Sequence, residues 1–446
     1  MAALCSRLKL PLIAMWWILA QASLAQPATL PGVTLEEFYT AAIDFSPALR
    51  ISKESLSIRS AQRKAANGQL LPQISAGANL SDNRLNQLNR ITNYDGARYS
   101  LTLSQTLFDW QQFEARKQSY LAEDVQEQEY YYELGLLLTL VAERYFGVLQ
   151  AEDALESIES EINAITNQVS QIQSLYDRQL AQITDLYQGQ ASLAAVQAER
   201  LRLETDLALQ QEALRSLSGL EVGPLHKLNE NIEIPPLEFS LDYYVDRSRE
   251  QNHQIQAREY VLKASEAAVS ASKGAFMPRV SFIAQRQDSN VGFDNLPINK
   301  TDTTYFGVNL TIPIYAGGRN SAATSEARSR RSIAESELRA MQLEVRASVR
   351  SAYLQLQASE TKTNAALALL ESTALAAEAM QQGFDLGTVT SVDVLNSLRD
   401  QYQAERDLQR TRYEHVTYLL LLKRETGTLG AEDMLEVGSW LEPAPL

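Results

Sequence analysis

Two short motifs in the chain could support acyl-transfer chemistry, because both belong to the signature of penicillin-binding enzymes. Ser270 and Lys273 fit the pattern S-x-x-K, in which the serine is the nucleophile, and residues 81–83 fit S-D-N. The third part of that signature, K-T-G, is absent, and the S-D-N precedes the Ser-Lys pair where it should follow it. The sequence therefore predicts no hydrolase.

Patterns for nucleotide and metal chemistry are missing as well. The chain has no P-loop, so the energy for any active process has to come from a partner. Its three histidines, His226, His253 and His415, are scattered and match no metal-ligand spacing. We predict a protein that is not an enzyme and that binds no metal and no cofactor.

The net charge of the chain limits its partners. The 446 residues contain 40 Lys and Arg against 55 Asp and Glu, which gives a formal charge of −15. A surface that binds phosphate groups needs clustered Lys and Arg. The charge therefore argues against nucleic acid as a partner.

The first 25 residues have the pattern of a secretory signal peptide. Arg7 and Lys9 precede an apolar run over residues 10–20, and small residues follow up to Ala25. A transmembrane anchor is the alternative, but the run is shorter than the ~18–20 residues that span a bilayer. Cleavage after Ala25 removes two basic residues and no acidic one, which takes the charge from −15 to −17, and it also removes Cys5, the only cysteine.

Proline is absent between Pro72 and Pro224 and again between Pro313 and Pro443. Residues 110–218 and 319–424 lie inside these gaps and are rich in strong helix formers, so each predicts long helices. Apolar residues between positions 148 and 176 recur in steps of three and four, a 3.5-residue period typical of helices packed along a supercoiled seam. A helix from residue 110 to residue 180 would be about 100 Å long.

The segments that precede the long helices have the two-residue period of β-strands. Clear alternation covers residues 99–108 and 304–315, and weaker alternation covers residues 72–82 and 278–288. A helix over residues 34–68 precedes the first pair. The polar stretches inside the pairs, residues 83–97 and 289–303, are predicted to be exposed loops.

The same features occur twice, at an offset of about 206 to 208 residues. Residues 68–75 match residues 274–281, and residues 184–186 match residues 392–394. A period of this length indicates a duplicated unit of domain size, made of a helix, two strands, a very long helix and a returning helix. We predict a signal peptide (1–25), a first copy (26–218), a linker (219–239), a second copy (240–428) and a C-terminal tail (429–446).

Four strands of about ten residues are long enough to cross a bilayer, but a membrane-spanning sheet cannot leave its edges in lipid. Several chains must then contribute strands to one closed barrel. Two chains would give eight strands and a filled interior, whereas three would give twelve strands and room for a pore. The aromatic residues at the strand ends are placed as an interfacial girdle would be: Tyr99, Phe108, Trp110, Tyr305 and Tyr315. A sheet packed on the core of a soluble protein is the alternative.

Several of these features together resemble the TolC-type outer-membrane efflux proteins. They are the duplication, the Pro at the start of each strand pair, residues 313–318 (PIYAGG) and residues 387–395 (GTVTSVDVL) at the far helical turn. The resemblance implies a mostly α-helical protein with membrane strands, in which three copies form a twelve-stranded barrel that continues into a long α-helical coiled-coil tunnel. It also implies an outer-membrane location and a periplasmic span. The implied partners are outer-membrane lipid, a periplasmic adaptor and an inner-membrane pump or ABC transporter.

In that family the lower helical turns carry acidic residues that ring the closed entrance, and the matching positions here are Asp185 and Asp393. Six carboxylates from three chains would favour cations in a narrow lumen. Asp393 could equally lie in the first turn of a helix capped by Thr390 or Ser391. The remaining tip positions carried over from the family are Phe384 and Asn396 near the gate and Leu180, Thr184, Gly387, Thr388 and Ser391 as turn residues and adaptor contacts.

The sequence departs from the family at Val389, where a basic residue is frequent, and at Asn396, where an acidic residue is frequent. These differences argue against a charged latch and a second acidic ring. Gly387 is predicted to end the descending helix in a left-handed conformation. The function predicted from the resemblance is a passive exit duct for efflux or type I secretion, and the alternative is a soluble periplasmic coiled-coil adaptor without a pore.

Overall fold

The computed structural model describes residues 33–87, 90–229, 239–291 and 300–443, together with residues 232, 235 and 237. The predicted signal peptide therefore lies outside the described residues. The first half of the chain contains α1 (Leu35–Phe45), α2 (Pro47–Gly68), β1 (Gln73–Gln87), β2 (Arg90–Phe108), α3 (Trp110–Asp177) and α4 (Ile183–Ser218). The second half contains β3 (Lys227–Leu228), α5 (Leu241–Gln251), α6 (His253–Gly274), β4 (Arg279–Ser289), β5 (Thr301–Thr311), α7 (Arg319–Asp385), α8 (Ser391–Thr426), α9 (Ala431–Ser439) and β6 (Leu441–Glu442).

The four long strands form one antiparallel sheet in the order β1-β2-β4-β5. Residues that pair across strands project their side chains from the same face. One such row runs Ala76, Leu101, Arg286 and Thr304, and the next runs Ala78, Tyr99, Asp288 and Asp302. Within the described residues, the outer edges of β1 and β5 have no strand partner.

The predicted loop over residues 83–97 is wrong in its extent. β1 continues to Gln87 and β2 begins at Arg90, and the pairs Asp82–Asp95 and Asn83–Tyr94 extend the hairpin. The antiparallel ladder is made of backbone hydrogen bonds, so it continues through residues whose side chains are polar.

The last predicted strand has a different correction. It spans Thr301–Thr311 and not residues 304–315, because Pro313 has no N–H group to donate to a ladder. Thr301 and Asp302, which were predicted to be loop, belong to this strand.

The helix predicted over residues 34–68 is two helices. The hydroxyl of Ser46 accepts a hydrogen bond from the backbone N–H of Leu49 (3.3 Å), and Pro47 occupies the first position of α2. A serine followed by a proline at the start of a helix is a strong N-terminal signal. α1 therefore ends at Phe45 and the chain changes direction there.

The two long helices confirm the expectation from the proline gaps. α3 has 68 residues and α7 has 67, which at ~1.5 Å per residue makes each about 100 Å long. The predicted seam of α3 is buried at Val148, Ile158, Ile165 and Ile172.

The long helices pack side by side in a single layer. In the half next to the sheet the neighbours are α2, α3, α6 and α7 in that order, and in the other half they are α4, α3, α8 and α7. The largest apolar core lies where the halves meet, between α1, the middle of α3, the end of α8 and α9. One 18-residue window of α3 is apolar enough to cross a membrane, but 56% of it is buried within the protein, so it belongs to this core.

Candidate functional site at the two helical tips

The two helical hairpins end in turns far from the sheet, and these turns hold most of the predicted site residues. The first tip is the turn between α3 and α4, residues 178–182, and the second tip is the turn between α7 and α8, residues 386–390. Equivalent positions in the two tips are 208 residues apart in the sequence.

The second tip begins with a left-handed glycine, as predicted. Gly387 has φ +75°, its N–H donates to the carbonyl of Phe384 (2.9 Å), and the N–H of Thr388 donates to the carbonyl of Gly383 (2.9 Å). These two bonds form a Schellman motif, which satisfies the last carbonyl groups of α7. Phe384 is half-buried in the last turn of α7.

The second tip ends with a complete capping box. The Thr390 hydroxyl accepts from the backbone N–H of Asp393 (3.3 Å), and the Asp393 carboxylate accepts from the backbone N–H of Thr390 (3.3 Å) and from its hydroxyl (2.6 Å). Of the two predicted cap residues, Thr390 is therefore the correct one. Asp393 lies in the first turn of α8, where a carboxylate also complements the helix dipole.

Ser391 was the other predicted cap, and it was also predicted as an adaptor contact. Its exposed fraction is 4%, and its hydroxyl has no hydrogen-bond partner within the described structure. A buried side chain is not part of the surface that a partner reaches. Both predictions for Ser391 therefore conflict with its position.

The first tip has the same backbone path with less favourable side chains. Gln179 lies where the second tip has Gly387, and it also adopts a left-handed conformation, with φ +60°. The N–H groups of Gln179 and Leu180 donate to the carbonyls of Tyr176 and Leu175, both at 2.8 Å. A residue with a Cβ atom in this conformation costs roughly 1–2 kcal/mol relative to glycine.

The start of α4 has no side-chain cap. Gln182 occupies the N-cap position, and no side chain there bonds the first backbone N–H groups. Asp185 lies in the first turn, and its carboxylate is 3.5 Å from the hydroxyl of Thr184. Leu180 is 72% exposed, and Thr184 is exposed as well.

Two groups of contacts between the hairpins were not predicted. Near the tips, the Gln171 amide donates to Asp385 (3.0 Å), and the Gln381 amide donates to the side-chain oxygen of Gln171 (3.5 Å). Higher in the layer, Arg406 donates to Glu161 at 2.8 Å, and Glu161 is almost fully buried.

Two opposing effects act on the pKa of the buried Glu161 carboxyl group. Burial raises the pKa of Glu161, while the guanidinium of Arg406 acts in the opposite direction. Residues more than 200 positions apart form these contacts, so no local pattern in the sequence could have shown them.

The predicted aromatic girdle is divided in the structure. Tyr99, Phe108 and Tyr315 are exposed, and Tyr99 shares the face of the sheet that carries Leu101. The other face carries the hydroxyl residues Ser100 and Thr102. The membrane role of these three aromatic residues stays a prediction.

Trp110 and Tyr305 point elsewhere. The indole N–H of Trp110 donates to Ser270 on α6 (3.0 Å), because the residue opens α3 and faces its neighbour helix. The ring of Tyr305 lies over Gly307, on the face opposite to Phe306, as the two-residue period of a strand requires. The girdle assignment of both residues conflicts with these directions.

The duplicated hairpins and the four-stranded sheet agree with one known protein family. The family model for outer membrane efflux proteins matches residues 38–220 and again residues 244–428. The chain belongs to this family. Within the described residues, no group of three or more His, Cys, Asp or Glu side chains could hold a metal ion.

Individual members of the family agree with this assignment. TolC of Vibrio cholerae is 29% identical over 425 residues, covering 92% of this chain and 94% of TolC. The alkaline protease secretion protein AprF of Pseudomonas aeruginosa is 24% identical, covering 76% of this chain and 72% of AprF. The solved structure of CusC has a TM-score of 0.78 at 18% identity, covering 91% of this chain and 95% of that chain, and so shows the same fold.

The family and its members establish the general role. The chain is an outer-membrane protein that provides an exit duct for efflux or secretion, with a helical tunnel joined to a barrel. The comparisons favour this role over a soluble adaptor without a pore. The relatives are channel and transport proteins.

Proposed function

We propose that three copies of this chain close one twelve-stranded barrel and form a passive duct, without enzymatic activity, between a periplasmic adaptor with its inner-membrane pump and the outside of the cell. The observation that carries this proposal is the four-stranded sheet, which has an apolar face and, among the described residues, two edges without strand partners. Such a sheet cannot stand alone in lipid. Twelve strands leave room for a pore, whereas eight would be filled by side chains.

Exposed apolar side chains on the edge helices support the assembly. α4 is the last helix of the layer on one side, and α7 is the last on the other. Exposed patches of this kind mark sites of protein contact. The large apolar residues that are more than half exposed are Tyr187, Leu201 and Leu209 on α4 and Ile333, Leu343, Leu354, Leu367 and Leu375 on α7.

The internal duplication predicts the register between subunits. β2 pairs with β4 so that Leu103 faces Ala284. The equivalent strands at the subunit contact are β5 and β1, offset by 207 and 206 residues, which places Leu310 opposite Ala78 of the next chain. Cys5 is the only cysteine and lies in the predicted signal peptide, so introduced cysteine pairs have no native thiol to compete with them after cleavage.

A disulfide test follows from this register. Leu310→Cys with Ala78→Cys should give covalent trimers on oxidation, since directly opposed strand positions fall within disulfide distance. Leu310→Cys with Ile74→Cys is the matched control, because Ile74 lies four residues further along the same face. Crosslinking in the control but not in the test pair would refute the register, and a monomeric species in detergent would refute the assembly.

The adaptor contact is proposed at the exposed part of the tips. Relatives of this chain include the secretion proteins AprF and PrtF. The tip residues Leu180, Thr184, Gly387 and Thr388 are exposed. A photo-crosslinking residue at Leu180 or Thr388 should capture a periplasmic adaptor in cells. The same residue at Phe306, exposed on the sheet, should not.

The gate is proposed at Asp185 and Asp393, whose carboxylates from three chains would attract cations to the entrance. Asn396 is exposed on α8 but carries no charge, and Phe384 can pack but cannot donate a hydrogen bond. Asp185→Asn with Asp393→Asn should weaken divalent-cation block of single-channel conductance in planar bilayers. Asp400→Asn, also exposed on α8, is the control. Unchanged block in the double variant would refute the ring.

A further inference from the structure

A shallow groove lies on the apolar face of the sheet, at the level where that face changes from apolar to charged. Its volume is about 450 Å³, and its walls include Ala76, Ala78, Tyr99, Leu101 and Arg286. The groove exists because β1 carries two alanines between the larger Ile74 and Leu80, so the surface beside the Tyr99 ring is low.

The register shows that the charged side chains share the face of the apolar ones. Arg286 pairs with Leu101 on one side and Thr304 on the other, and Asp288 pairs with Tyr99 and Asp302. Directly paired residues project from the same face. On β4 this face reads Val280, Phe282, Ala284, Arg286 and Asp288, so two charges follow three apolar residues.

Ion pairs hold the charged groups in place without using up their donors. Arg286 donates to Asp302 (3.0 Å) across β4 and β5, and Lys300 lies 3.0 Å from Asp288. Both cations are about 70% exposed. A guanidinium has five N–H donors and an ammonium has three, so donors remain on each.

The height of the site follows from the orientation of the sheet. The helices leave one end of the strands, so the hairpin ends of β1–β2 and β4–β5 face the outside of the cell. Strands in such barrels tilt by about 35–45°, so a row of paired residues that crosses all four strands changes depth by roughly 9 Å. Leu80, which follows Ala78 on β1 toward the hairpin end, is still apolar, whereas Asp302, at the other end of the row that contains Ala78, is charged. We therefore place the alanines deeper in the membrane and the charged residues nearer its surface.

We propose that this groove binds a phosphorylated glycolipid of the outer leaflet. The acyl chain lies over Ala76 and Ala78 beside Tyr99, and the phosphate takes the free donors of Arg286 and Lys300. The carboxylates of Asp288 and Asp302 accept hydrogen bonds from sugar hydroxyl groups, which a simple phospholipid does not supply. An arginine on a lipid-facing strand is costly without a partner, and the headgroup is that partner.

The site remains open in the proposed trimer. The predicted subunit register places Leu310 of a neighbouring copy beside Ala78, where it forms the second wall of the groove. The proposal itself requires only that this face of the sheet meets the membrane, which follows from the outer-membrane location.

The test uses the full-length mature protein purified in detergent, with diphosphoryl lipid A and phosphatidylglycerol as probes in native mass spectrometry. The wild-type protein should retain lipid A at least fivefold more strongly than phosphatidylglycerol. Arg286→Gln should abolish this preference, and Ala78→Leu, which fills the groove without changing a charge, should reduce retention of lipid A.

Arg279→Gln is the matched control, because Arg279 lies on the same strand but on the opposite face. It should leave retention unchanged. Equal retention by wild type and Arg286→Gln would overturn the proposal, as would a loss of equal size in Arg279→Gln. Inorganic phosphate at millimolar concentration should not compete, and competition by it would show an anion site without a lipid groove. A trimer in all variants separates these outcomes from a failure of assembly.

Discussion

The two helical tips have one backbone path and two sets of side chains. The second tip places a glycine at the left-handed position and a threonine at the N-cap, whereas the first tip places Gln179 and Gln182 there. Each choice in the second tip lowers the free energy of the turn. The second tip is therefore the more rigid of the two, and the first tip opens at a lower cost.

One pair of packed positions occurs in both tips, with a small and a large residue in opposite order. Gly383 of the second tip lies under Val389, and a Cβ atom at Gly383 would lie 2.6 Å from Val389 Cγ2. The equivalent residues of the first tip are Leu175 and Ala181. The large and small members of the pair have changed places between the two copies, so the contact is kept while its residues differ.

The largest effect on this comparison should come from Gly383→Leu. The new side chain overlaps Val389, which should cost about 2 kcal/mol and speed hydrogen exchange of the second tip about 30-fold. Hydrogen exchange with mass spectrometry on residues 380–395 measures it. Gly383→Leu with Val389→Ala copies the pair of the first tip and should restore most of the protection; continued fast exchange would show that the volumes are not coupled.

Gly387→Ala should have the next largest effect. No atom lies within 4 Å of the new Cβ, so the whole cost is that of a left-handed alanine, about 1–2 kcal/mol. Exchange at the second tip should become about tenfold faster. Gln179→Ala at the equivalent position should change exchange at the first tip by less than twofold, because that residue already has a Cβ atom. Equal responses of the two tips would contradict the comparison.

Thr390→Ala should destabilise the start of α8 by about 1 kcal/mol, because the box with Asp393 is lost. The expected result is about fivefold faster exchange at residues 391–394. Gln182→Ala is the matched control at the first tip, because it removes no cap bond and only the hydrogen bond that the Thr184 hydroxyl donates to the Gln182 side chain (3.3 Å). A change in the control as large as that in Thr390→Ala would contradict the assignment of the effect to the capping box.

Gln179→Gly should have the smallest effect and the opposite sign. It relieves the left-handed strain but adds flexibility to the unfolded turn, so the net gain should be about 0.5 kcal/mol. Exchange over residues 172–187 should slow about twofold. Faster exchange would show that the strain at Gln179 is offset by contacts of its side chain.

Much of the fold could be predicted from the sequence, because the relevant signals are local or repeat. The gaps between prolines predicted the long helices, the two-residue period predicted the four strands, and Gly387 predicted the left-handed turn. The break at Ser46 had a signal as well, a serine followed by Pro47, that a prediction based on helix formers alone passed over.

The rest depends on packing between distant parts of the chain. The contact of Glu161 with Arg406 and that of Gln171 with Asp385 join residues of ordinary helical surfaces, whose partners are unknown until the hairpins are placed. The left-handed state of Gln179 has no signal in its own residue type. Only its match to Gly387 in the second copy points to it.

The two open edges of the sheet link membrane insertion to encounter between chains. In the part of the chain that the structure describes, a lone subunit exposes unpaired backbone groups along β1 and β5, and these would pair with any other strand as readily as with the correct one. Insertion should therefore depend steeply on the local concentration of subunits. In the proposed trimer, newly exported chains need protection from mispairing until three of them meet, so the number of finished ducts should depend on the supply of subunits.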